Sequence, residues 1–174
     1  MRSTTLRATG AEVTRLALGC AAPGSPYRPV SDARARATAD AAWAAGVRCF
    51  DTAPHHGLGL SERRLGAALR GRPRAESTLS AEVGGLLVPD AGGGDDLASG
   101  FAVPAAHRRV RDFSADGVRR GLAESLVRLA WTTWTSPCCT TPPTMASRRA
   151  GRRTRHWSGC GPRGSYGPSA PGPG

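Results

Sequence analysis

Two hydrophobic periods alternate along the first 129 residues. Short apolar runs suited to strands are separated by stretches in which apolar residues recur at helical spacing. Thr4–Arg7 and Val13–Leu16 flank Thr9-Gly10, which predicts a hairpin, and Leu16–Cys20 predicts a strand. Ser31 and Asp32 open an Ala-rich run to Ala45 that Gly46 closes. A polar cap before and a glycine after predict a helix. Val47–Phe50, ending at Asp51, predicts a buried strand. Ser61-Glu62 starts a second helix through Leu65, Ala68 and Leu69 to Gly71, and Thr78–Val83 predicts a third strand. Gly84–Phe113 carries Gly and Pro and reads as a long loop, a kind that is usually functional or disordered. Ser114 caps a third helix with Val118, Leu122, Leu126 and Leu129 in register. Strands alternating with helices predict a parallel sheet with helical crossovers.

The pattern stops at Leu129. Residues 130–174 hold no Leu, Ile, Val or Phe and no Asp or Glu, yet carry seven of the 14 Pro and six of the 24 Arg. Such a segment cannot bury enough apolar surface to offset an ordering cost of about 1–2 kcal/mol per residue. It is expected to be disordered, which divides the chain into 1–129 and 130–174. The length of 174 residues suits one domain but falls short of the roughly 250 of a whole (β/α)8 barrel. No apolar run reaches the ~20 residues of a membrane span, and no signal peptide is apparent, so a soluble cytoplasmic chain is expected. All basic residues are Arg, and Lys, Ile, Asn and Gln are absent. The absence of Lys, Ile and Asn, whose codons are A/T-rich, indicates a GC-rich coding sequence.

The chemistry-bearing string is Phe50-Asp51-Thr52-Ala53-Pro54-His55-His56-Gly57, followed by Leu60-Ser61-Glu62-Arg63-Arg64-Leu65-Gly66. It resembles the second strand and following loop of the aldo/keto reductases. Leu6-Arg7-Ala8-Thr9-Gly10 through Leu16-Ala17-Leu18-Gly19 is similar to that family's N-terminal hairpin and first barrel strand. Tyr27-Arg28-Pro29-Val30-Ser31 and Phe101-Ala102-Val103-Pro104 resemble its aldose (L-fucose, D-threo-aldose) dehydrogenase branch. The resemblance spans residues 5–129 and implies an α/β fold, an incomplete (β/α)8 TIM barrel of an N-terminal hairpin and three βα units. Three strands cannot close a barrel. Leu16, Leu18, Val47, Phe50, Leu79 and Val83 are expected to face the barrel interior and to lack opposing strands there.

The resemblance also implies NAD(P)-dependent oxidoreduction of a small sugar or aldehyde. A Tyr hydroxyl moves the carbonyl proton, a Lys paired with an Asp tunes it, and a His orients the carbonyl. Asp51 holds the family Asp position, His56 stands where the Tyr belongs and Glu82 where the Lys belongs. Glu82 is expected to face Asp51, and like charges at close range push one carboxyl up. Gly19, Cys20 and Ala21 would lie nearest the nicotinamide of NADP or NAD. With most dinucleotide contacts in the family's other half, this chain is expected to bind neither, and to be inactive. His55-His56 carry no metal-site expectation.

A GC-rich coding of Ala130–Ala146, read after one added G, gives Gly-Val-Asp-His-Val-Asp-Ile-Ala-Leu-Leu-His-Asp-Pro-Pro-Asp-His-Gly. That peptide resembles the family's fourth strand with its His, so residues 130–174 are expected to be an out-of-frame tail. Out-of-frame GC-rich DNA yields Arg, Pro, Gly and Ala. Arg148 to Arg155 is therefore weak support for the alternative, a non-enzymatic protein with a nucleic-acid-binding tail. Cys138, Cys139 and Cys160 lack paired metal-ligand spacing.

Overall fold

Three parallel strands form the centre of the fold in the computed structural model, which describes residues 1–5 and 12–132. The turn at Thr9-Gly10 and the expectations for the Arg-rich, Cys-bearing tail fall outside those residues. An antiparallel hairpin, β1 (Ser3–Thr5) with β2 (Glu12–Thr14), precedes the first central strand, β3 (Ala17–Gly19). Helix α1 (Asp32–Ala44) leads to β4 (Cys49–Thr52), and α2 (Leu60–Leu69) leads to β5 (Thr78–Ala81). The sheet order is β3-β4-β5, both pairs parallel. Ser31 Oγ caps α1 by accepting the Arg34 N–H at 3.2 Å, the role its position predicts.

Side chains alternate across a strand. The register aligns Leu18, Phe50 and Leu79 in one row and Gly19, Asp51 and Ser80 in the next. The first row turns to the helices. Phe50 and Leu79 are buried with Cys20, Leu65, Leu69 and Leu129, and Leu18, Trp43 and Trp131 pack against that cluster. This corrects the expectation that Leu18, Phe50, Leu79 and Val83 face the barrel interior; Val83 packs with Ala81 against Val118 and Leu122. The apolar partners they need are on the helices, so the row of Asp51 and Ser80 takes the interior side. Leu16 packs on neither layer and is 64% exposed.

The hairpin closes the amino ends of the strands. Thr14 Oγ1 accepts the backbone N–H of Arg48 and of Cys49, each at 3.1 Å, and Thr78 Oγ1 donates to the Glu12 carbonyl at 3.3 Å. The carboxyl ends are left for chemistry, as in other parallel α/β folds.

Residues 84–113 are not a plain loop. They form an antiparallel pair, β6 (Gly85–Pro89) and β7 (His107–Arg111). The alternation is hidden because β7 reads His-Arg-Arg-Val-Arg, with one apolar residue, and the connection runs from 90 to 106. That connection folds back on the first βα turn: Ala102 N–H donates to Ser25 O at 2.8 Å and Tyr27 N–H to Gly100 O at 2.9 Å. Helix α3 (Ala115–Leu129) follows, capped by Ser114, whose Oγ accepts the Gly117 N–H at 3.0 Å. No helix among the described residues is long and apolar enough to cross a membrane.

Helices α2 and α3 meet at glycine. A Cβ on Gly66 would run into the carbonyl of Leu129, so only glycine lets the two backbones approach this closely. A buried ion pair, Glu62 with Arg128, joins the same two helices. Gly66→Ala should therefore destabilise by about 1–3 kcal/mol, the usual cost of overpacking against backbone. Urea unfolding of the two proteins measures it, and equal midpoints would contradict the close contact.

Candidate functional site

The site begins with the clasp that holds the loop after β4. Ser61 Oγ lies 2.9 Å from Thr52 Oγ1 and donates to the Cys20 carbonyl. Arg64 donates to Asp32 Oδ1 at 2.7 Å, Pro23 O at 2.5 Å, Ser25 Oγ at 3.2 Å and Val30 O at 2.7 Å. Much of the Ser61–Gly66 string is thus structural: Ser61, Glu62, Arg64 and Gly66 fix α2 against its neighbours. Gly57, at φ +62°, passes so close to the Gly24 carbonyl that any side chain there would collide with it.

Within this frame the rings of His55 and His56 meet edge to face, centroids 4.5 Å apart, and Phe101 from the β6–β7 connection stands 6.0 and 5.9 Å from them. Arg109 binds Asp96 through both guanidinium ends, at 2.7 and 2.5 Å, and donates to the His55 carbonyl at 2.8 Å. Glu82 follows β5, and its N–H donates to Thr52 O at 3.3 Å. Its carboxylate Oε2 is 3.3 Å from His55 Nδ1. A cleft of about 370 Å³ opens beside this pair, lined by His55, Glu82, Gly84, Leu87, Arg111 and Phe113.

The structure brings Asp51, His56 and Glu82 into one electrostatic neighbourhood, since both carboxylates act on the charge of His56. It also shows a residue that sequence reasoning missed. His55, not Asp51, is the group that shifts Glu82: its hydrogen bond holds the Glu82 carboxyl below the ordinary carboxylate value. The signal in the sequence is that His55 lies one residue before the family Tyr position. Burial, reinforced by the adjacent His55, pushes His56 down to about 4, and its Nδ1 is buried without a hydrogen-bond partner. His56 is therefore neutral near pH 7 and is a poor proton donor there. His55, oriented by a carboxylate through Nδ1, keeps Nε2 as the proton-accepting atom when neutral.

Gly19 shares the interior row with Asp51, and a Cβ there would meet open space. Cys20 turns the other way into the core, where burial pushes its thiol up to about 12. Its N–H donates to Asp51 O at 2.7 Å and its carbonyl accepts Ser61. Ala21 is exposed. Among the described residues no group of three or more His, Cys, Asp or Glu could hold a metal ion.

The aldo/keto reductase family pattern matches residues 15–133, more than half of the chain. The chain belongs to the aldo/keto reductase family. It is 46% identical over 125 residues to a D-threo-aldose 1-dehydrogenase from a Pseudomonas species, covering 70% of this chain and 38% of that protein. It is 40% identical over 131 residues to a pyridoxal 4-dehydrogenase from Microbacterium luteolum, covering 71% and 38%. The chain thus spans 38% of the length of these curated relatives. A glycerol dehydrogenase from Gluconobacter oxydans superposes with a TM-score of 0.57 at 25% identity, over 75% of this chain and 36% of that one. The holo form of an aldo-keto reductase from Bacillus halodurans shares the fold, with a TM-score of 0.58 at 24% identity, over 76% and 38%. The fold is the first part of the family's (β/α)8 barrel: the hairpin and three βα units.

The buried imidazole sets an acid response. Because His56 is pushed down from 6.5 to about 4, the unfolded chain takes up a proton that the folded chain resists. Stability present above about pH 6.5 is lost as pH falls toward 4. Glu82, held low, loses its contribution in the same direction, below the ordinary carboxylate range. The thermal midpoint should fall steadily from pH 7 to pH 4.5, and His56→Asn should flatten the upper part of that fall. A wild-type profile that is level across this range would contradict the placement of His56.

Proposed function

We propose that this chain is the N-terminal portion of an aldose-dehydrogenase-type aldo/keto reductase whose proton relay is rewired. On this reading it does not oxidise aldoses or reduce carbonyls as it stands. The observation that carries the reading is the engagement of Glu82 by His55. Family chemistry, as the resemblance implies it, asks for a cation at that position, paired with Asp51 and tuning a phenol. Here a carboxylate is hydrogen-bonded by a neighbouring imidazole, and the phenol's place is taken by a neutral, buried His56.

NAD(P) is the cofactor that membership implies, and the described residues do not fit it. Both Cys20 backbone groups are committed within the fold, its side chain is in the core, and Ala21 offers a methyl group. A small sugar or aldehyde is the substrate class that the relatives suggest. The out-of-frame origin of residues 130–174 belongs to the same proposal. It is supported by the absence of aliphatic residues other than Ala and Met after the last helix. The bases around the codon for Ala130 decide it.

Titration of NADPH fluorescence should show no saturable complex, and L-fucose should not be turned over above background. Saturable micromolar binding, or a turnover that Asp51→Asn abolishes, would overturn the proposal.

A further inference from the structure

A second cleft lies at the other end of the sheet. It has a volume of about 300 Å³ and is lined by Arg70, Arg72, Arg74, Ser77, Trp131 and Thr132, among others. Among the described residues, five buried side-chain polar atoms have no hydrogen-bond partner, and three of them belong here: Arg72 Nη1, Arg74 Nε and Arg74 Nη2. A buried charged donor left without an acceptor carries the full penalty of its lost hydration. Three such donors on two arginines of one cleft mark a place where the described residues provide no acceptor.

The guanidinium groups are held in position. Arg74 stacks on Trp131 at 3.9 Å from the ring centroid, and its Nη1 donates to Ser77 O at 2.6 Å. Arg72 lies over Trp43 at 4.6 Å and uses Nη2 on Asp40. Asp40 also faces Arg36 at 3.6 Å, so this one carboxylate serves two guanidinium groups. Glu76 faces Arg48 at 3.7 Å. The chain beyond Trp131 offers no acidic side chain, because residues 132–174 contain no Asp or Glu and add six further Arg.

We propose that this cleft binds a phosphate group, free or carried on a small molecule. A tetrahedral oxyanion presents several acceptor oxygens at once, which suits unpaired N–H groups on two planar guanidinium forks lining one cleft. Burial that depresses the Arg74 guanidinium is the same desolvation an anion would offset. The cleft shares no lining residue with the His55–Glu82 cleft, so the rewired-relay reading can fail without touching it.

The test titrates the full chain with sodium phosphate, against sodium chloride at matched ionic strength, following tryptophan fluorescence and the thermal midpoint. Wild type and Arg111→Met, in the other cleft, should show the same saturable phosphate effect. Arg74→Met should bind at least about tenfold more weakly, the loss expected for charge-assisted hydrogen bonds. Arg74→Lys, which keeps the charge without the fork, should fall between them and serves if the methionine variant does not fold. Glucose 6-phosphate binding more tightly than phosphate would assign the site to esters, and equal binding to the free ion; both support it. A phosphate effect no greater than that of chloride would overturn the site. So would equal phosphate affinity in wild type, Arg74→Met and Arg74→Lys.

Discussion

The arrangement of this molecule depends on which face of a three-stranded sheet meets the helices. Phe50 and Leu79 are buried against Leu65, Leu69 and Leu129 on the helices, with Leu18 packed at the edge of that cluster. Fully burying a side chain of this kind is worth about 1.5–3 kcal/mol. Strand alternation then leaves Gly19, Asp51 and Ser80 no choice of side. A one-residue slip in β4 would put the Asp51 carboxylate among leucines and Phe50 on the open face. The placement of the candidate site is in this sense a by-product of core packing, aided by a hairpin that occupies the opposite end of the strands.

The same logic explains what could be read in the sequence. Ser31 and Ser114 were legible as caps because a hydroxyl before an apolar-periodic run has one local use. The site string was legible as family likeness, and Asp51 within it and Glu82 beyond it both act on the charge of His56. Two things were not legible. The inward or outward sense of Phe50 and Leu79 is a tertiary fact, set by which face of the sheet the helices cover. The β6–β7 pair was hidden because its second strand is rich in Arg, and one of these, Arg109, is spent on Asp96 and the His55 carbonyl rather than on solvent.

His55 shows how alignment can mislead chemistry. The family position held by His56 yields a buried, neutral imidazole, while its unaligned neighbour makes the contact with Glu82. Glu82, one of the two departures from the family pattern, is engaged by His55 rather than by Asp51. The interior row of the sheet meanwhile keeps small or polar residues at Gly19, Asp51 and Ser80. Those residues suit the lining of a family barrel better than a core, and they leave the open face with little to bury.

The central claim, that the two faces of the sheet are committed as described, is tested most directly by thiol alkylation. Cys20 is fully buried on the helix side, and its thiol is pushed up to about 12, whereas Cys49 is partly exposed in the strand register of Ala17 and Thr78. With Cys138, Cys139 and Cys160 replaced by serine, iodoacetamide should modify Cys49 in the native protein and reach Cys20 only on addition of denaturant. Modification of Cys20 as fast as Cys49 under native conditions would contradict the account.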